Sequence, residues 1–304
     1  MGVVVTRSLP SLILAAALVL SPAILSPVAY ASTCKPEIRR NNIIANALFT
    51  TLFRSINGEL RSWHDLGESL GYGASAGYLF YKSREMIGEG KENLGVATAY
   101  LASSMTENTT LGEHPLSHLR YGVGPLELRW TTPLARGDHQ RFNIGINVID
   151  AASLVTTVIS GKAEDFTIRN GVVTGTDRGL IDEPYDGYTI NRSIIMREQA
   201  QRDDGLWRHE LIHTTQYLQF SSFGSLGYNP FNFDSLRTAT LRSEVGMQVR
   251  IEWFNALINQ LDQNRDYEDQ WMEIEAARLA QNTSPLHDPN DNSCSTQVGF
   301  QFQF

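Results

Sequence analysis

Two histidines four residues apart, with a glutamate directly after the first, stand at His209-Glu210-Leu211-Ile212-His213. On an α-helix this spacing puts both imidazoles on one face, a single turn apart, where both can meet one metal ion. Glu210 is offset by one position, so it stands beside the ion and can take a proton from water the ion activates. The chemistry implied is metal-assisted hydrolysis with zinc as the cofactor. Two nitrogens converge only on a rigid helix, and residues 206–220 contain neither Gly nor Pro. Asp203 or Asp204 can cap its start, with Gly205 and Gly224 bracketing it. Trp207, Leu211, Ile212 and Leu218 surround the histidines, so the helix reads as buried on more than one side. The plain alternative is an ordinary packed helix. Two histidines and a glutamate buried there are costly unless a partner satisfies them, which favours the metal.

The run HELIH followed by Thr214-Thr215-Gln216 resembles the HExxHxxQ variety of gluzincin-type zinc metallopeptidases and peptidase-like proteins of bacteria. The likeness covers the active helix and the helix expected after it. It implies that His209 and His213 are zinc ligands, that Glu210 is the general base, and that the third ligand is a glutamate on the following helix. Peptide or protein is the substrate it implies, lying along a sheet edge near the active helix, for which the strand-like run GYTINRSIIM at 187–196 is suited. Two glutamates compete for the third place. Glu244 lies 31 residues past His213 and is flanked by the small Ser243 and Gly246, which would let two helices approach; Glu252 is the alternative. A metzincin would need a histidine six residues after His213, where Gln219 stands. Gln216 lies one turn beyond His213, positioned to hydrogen-bond a ligand or substrate. Tyr217 and Tyr228 are candidate oxyanion donors. A second pair, His114 and His118 beside Glu113, is interrupted by Pro115 and reads as a loop or the start of a strand rather than a metal site. His64, His139 and His287 read as surface or packing residues without ligand-like neighbours.

The elements that must position this turn follow from periodicity. Residues 37–106 carry apolar residues at helical spacing, in pieces separated by Gly71, Gly73, Gly88 and Gly90. From 115 to 196 the runs LELRW, FNIGINVI, FTIRNGVVTG and YTINRSIIM predict a small antiparallel sheet, and Asn170-Gly171 predicts a type I′ hairpin turn. After the active helix, Asp234 or Ser235 can open a second long helix running through Leu261. The stretch YEDQWMEIEAARLAQN predicts a third helix, and the tail STQVGFQFQF a strand. The fold class is therefore α+β: a helical region over 32–110, then a sheet and a zincin-like helical metal-site region over 111–304, together one compact unit.

Charge and leader bound the setting. A net charge of -8 argues against a nucleic-acid binder, which needs clustered Lys and Arg. Residues 1–31 have Arg7, an apolar stretch and Ala29-Tyr30-Ala31, the pattern of a cleaved signal peptide. Later stretches are too short or too polar to span a bilayer. The mature protein is expected in the periplasm or cell envelope, or secreted, with peripheral outer-membrane association a further option because the chain ends on an alternating run closing at Phe304. Two cysteines, Cys34 and Cys294, are candidates for a disulfide joining the ends in an oxidising compartment. Two functions follow. The first is an exported zinc-dependent hydrolase, a metallopeptidase with Glu210 as base. The second is a non-catalytic cell-envelope structural or binding protein on a degenerate or metal-stabilised peptidase-like fold.

Overall fold

A computed structural model describes residues 35–135, 142–159, 161–181, 186–223, 245–250 and 271–280. Its helical half begins with α1 (Lys35–Ile56), α2 (Trp63–Gly88) and α3 (Glu92–Thr110). Ser62 caps α2, its side chain accepting from the Asp65 N–H at 3.1 Å. Gly71 and Gly73, expected to divide helices, lie inside α2; the division falls at Asn57-Gly58, where Gly58 takes a φ of 76°. Contact explains Gly73, where a Cβ would lie 2.8 Å from the Ala47 Cα, whereas Gly71 faces open space. A Cβ at Gly77 would lie 2.4 Å from the Asn42 carbonyl oxygen, so α1 and α2 meet backbone to backbone along this stripe.

Among the described residues the strands form two four-stranded sheets, each antiparallel except for one parallel pair. The first joins β1 (His118–Val123), β2 (Leu126–Thr131), β3 (Phe142–Asn147) and β8 (Val245–Arg250) in that order, with β3 and β8 parallel. The second has the order β4 (Ala163–Arg169), β5 (Val172–Asp177), β7 (Ser193–Met196), β6 (Gly187–Ile190), with β5 and β7 parallel. Asn170 and Gly171 have φ of 54° and 78°, the left-handed pair that a type I′ turn between β4 and β5 requires.

Two expectations fail here for identifiable reasons. The run FNIGINVI is not one strand: the chain leaves the sheet after Asn147, whose Oδ1 accepts from the Asp150 N–H at 3.2 Å and starts α4 (Val148–Ile159). The long helix expected from Asp234 or Ser235 through Leu261 is also interrupted, because Val245–Arg250 is strand β8. Val245, Met247 and Val249 alternate with Gly246, Gln248 and Arg250, a period of two that pairing with β3 realises.

The HELIH segment lies in α5 (Asp204–Ser221), and the predicted third helical run forms α6 (Trp271–Ala280). One apolar cluster joins Ile38 of α1, Phe80 of α2, Tyr100 of α3, Ile194 of β7, Leu211 and Ile212 of α5, and Leu279 of α6. So α5 runs through the core between the helical layer and the second sheet. A buried ion network links the first sheet to the β6–β7 hairpin: Arg192, in the hairpin turn, donates to Asp150 at 2.6 Å and lies 3.5 Å from Glu127. Among the described residues no helix is long and apolar enough to cross a membrane. The leader 1–31, Cys34, Cys294 and the tail from 295 to 304 lie outside the described residues.

Candidate metal centre

The helix that carries the histidines is fixed at its start by Asp203, whose side chain accepts from the N–H groups of Gly205 at 2.8 Å and Leu206 at 3.1 Å. Trp207, Leu211 and Ile212 are almost fully buried, which settles the rotation of α5 about its axis. That rotation turns His209 and His213 toward α6. Their rings meet edge to face with centroids 4.7 Å apart, and the two Nε2 atoms are 3.0 Å from one another.

A carboxylate from α6 completes the group. Glu273 places Oε2 3.0 Å from His209 Nε2 and Oε1 3.2 Å from His213 Nε2. Of the two glutamates expected as third ligand, Glu244 and Glu252, both lie outside the described residues, as does Tyr228. Glu273 lies 60 positions past His213, on the predicted third helix rather than the second. The available signal was the set of small residues one and two turns ahead of it, Ala276, Ala277 and Ala280, which let α6 close on α5.

Two imidazole nitrogens and two carboxylate oxygens this close together favour a positive charge among them. Burial works against charging His213, but the Glu273 carboxylate outweighs it and lifts the pKa to about 9. Burial likewise works to raise Glu273, and the neighbouring His213 charge and the hydrogen bonds from both imidazoles hold it well below the ordinary carboxylate range. A proton can supply that charge; so can a metal ion. Donors about 3.3 Å apart are what a tetrahedral ion with bonds of about 2.0–2.1 Å requires, close to the spacing found. Two imidazoles and one carboxylate also form a donor set suited to zinc with a position left open. The residues present fit the ion.

Glu210 turns away from Glu273, toward the second sheet. Its Oε2 accepts from the Thr189 hydroxyl at 2.6 Å, and its backbone carbonyl accepts from the same hydroxyl at 3.1 Å. A Cβ at position 187 would lie 2.7 Å from Glu210 Oε1, so Gly187 makes room for the carboxylate. Both residues belong to β6, the end strand of its sheet among the described residues. The strand-like run before the active helix is thus in contact with the proposed base.

Gln216 meets His213 directly, its Oε1 2.7 Å from Nδ1. Tyr217 lies on α5 one turn past His213 and is partly buried. The other histidines behave differently. His118 starts β1, bonded to Glu113 at 3.0 Å and Thr131 at 3.2 Å, while His114 Nδ1 accepts from the Leu116 N–H. His64, expected to lack ligand-like neighbours, stands with Asp65 and Glu68, but on the surface, and Arg54 already pairs with both acids. His139 and His287 lie outside the described residues. No protein-family model, no curated protein and no solved structure matches the chain.

Proposed function

We propose that the protein is an exported zinc-dependent hydrolase, a metallopeptidase whose zinc is held by His209, His213 and Glu273. The observation that carries this reading is the convergence of both Nε2 atoms and the Glu273 carboxylate within 3.2 Å, beside a separate buried carboxylate, Glu210, on the strand side. When bound, zinc supplies a Lewis acid that brings the pKa of water toward neutrality. His209 and His213 remain neutral and orient their Nε2 lone pairs; Glu273 supplies the negative charge that keeps the ion in place. Glu210 accepts the proton given up by the attacking water and passes it to the leaving amine. Thr189 holds the carboxylate in position for both transfers through one short hydrogen bond. An extended peptide along β6 would present its carbonyl near that carboxylate, which is why peptide is the substrate class favoured by this arrangement. The export route rests on the leader pattern ending at Ala31.

One observation favours the non-catalytic reading. His209, Glu210 and His213 are each only 5% exposed, so a substrate has little surface to reach. The two readings part on Glu210→Gln. As a hydrolase, the variant keeps one zinc per chain by elemental analysis and loses hydrolysis of a general protein substrate by about 10²- to 10⁴-fold. Zinc bound by both forms with no turnover in either assigns the centre a structural role.

A further inference from the structure

The polar residues behind the histidine pair form a path that ends in the N-terminal helical layer. Gln216 is fully buried, and its Nε2 donates to the Met272 carbonyl at 3.0 Å and to Glu275 Oε2 at 2.9 Å. Both partners only accept, so the amide has one possible orientation. Its Oε1 is left facing His213 Nδ1 and must accept a hydrogen bond from it. The proton of a neutral His213 therefore sits on Nδ1, and the lone pair on Nε2 points at His209 and Glu273.

Glu275 in turn is held by Arg84 of α2, whose side chain is 0% exposed. One guanidinium nitrogen donates to both Glu275 oxygens, at 2.8 and 3.0 Å, and to Asn42 Oδ1 at 2.8 Å. Its other nitrogens donate to Thr215 Oγ1 at 3.2 Å and to Gln219 Oε1 at 2.5 Å. Asn42 closes the group by donating to Glu275 Oε1 at 2.8 Å. Every link is buried or nearly so, where a hydrogen bond is strong and a missing one is costly.

We infer that Arg84 and Glu275 are positioning residues for the metal centre: through Gln216 they select the His213 tautomer that presents Nε2 to zinc. This gives α1 and α2 a role as the outer layer of that centre. The inference rests on the zinc reading above and concerns affinity rather than turnover. Outer partners of a ligating histidine typically change metal affinity by about 10- to 100-fold.

The test titrates metal-free protein with zinc against a chromophoric chelator and records the visible spectrum of the cobalt(II) form. Glu275→Gln leaves the Met272 carbonyl alone to fix the Gln216 amide, since position 275 can then donate as well as accept, and so weakens the preference for one orientation. It is expected to weaken zinc binding about 10- to 100-fold and to shift the cobalt bands. The double variant Arg84→Met/Glu275→Met removes both buried charges together, keeps the volume, and should behave alike even if the single variant folds poorly. Gln219→Met touches the same cluster off the path to His213, and is expected to keep wild-type affinity and spectrum. Wild-type affinity and an unshifted spectrum in the double variant, with zinc bound by the parent protein, overturn the inference and leave the zinc reading standing. Loss of affinity in Gln219→Met equal to that in the double variant also overturns it, since packing alone would then be responsible. A parent protein that takes up neither zinc nor cobalt sinks the zinc reading and this inference with it.

Discussion

At the scale of single residues, the identity of the third ligand divides the possibilities most sharply. Glu273→Ala is expected to abolish stoichiometric zinc, whereas Glu244→Gln and Glu252→Gln are expected to retain it, as measured by metal content after gel filtration. The histidine pair and Glu210 were legible because their spacing encodes their geometry on a helix. Glu273 was not, because a carboxylate 60 positions away carries no local sign of its partner. Glu244 was expected within a helix that should have continued through residues 245–250, which instead form a strand. Gln216 was legible as a neighbour of His213, but its orientation depends on Met272 and Glu275, which only the fold brings near. Thr189 is a further residue whose part emerged only in three dimensions. Thr189→Val keeps the side-chain shape and removes the donor to the Glu210 carboxylate. A hydrogen bond to a charged group contributes about 1.5–3 kcal/mol, and a loss of that size should appear in the urea midpoint of unfolding.

At the scale of elements, the centre depends on how closely α5, α6 and α2 approach. A Cβ at Gly88 would fall 1.8 Å from the Leu279 carbonyl oxygen, so the end of α2 lies directly on α6. Gly88→Ala must push the two helices apart, at a cost of about 1–3 kcal/mol for overpacking. Because α6 carries Glu273, the same variant should also bind zinc more weakly, which a chelator competition would detect. The three N-terminal helices, the hairpin at Asn170-Gly171 and the active helix follow from period and turn chemistry. Gly73 was misread as a break because a close helix contact and a chain break use the same residue. α4 was hidden by its apolar run, which suits a strand as well as a helix until the Asn147 cap decides.

At the scale of the whole molecule, zinc would tie together parts of the chain that are far apart in sequence. Zinc held at a concentration of about 1,000 times its dissociation constant adds about 4 kcal/mol to folding stability. At about 2.1 cal/mol/K of unfolding entropy per residue over 304 residues, that corresponds to about 6 °C in the melting temperature, so chelation should lower the thermal midpoint by that amount and added zinc restore it. The α+β class was legible, because helical and alternating segments are separated along the chain. The two-sheet topology was not, since the parallel pairings of β3 with β8 and β5 with β7 join strands with no local turn between them. The most direct measurement is X-ray absorption at the zinc edge of the purified protein. Two imidazole nitrogens and carboxylate oxygen at about 2.0–2.1 Å are predicted, with the imidazole contribution halved, or the zinc lost, in His213→Ala. A shell of sulfur at about 2.3 Å, or a spectrum that His213→Ala leaves unchanged, would contradict the assignment.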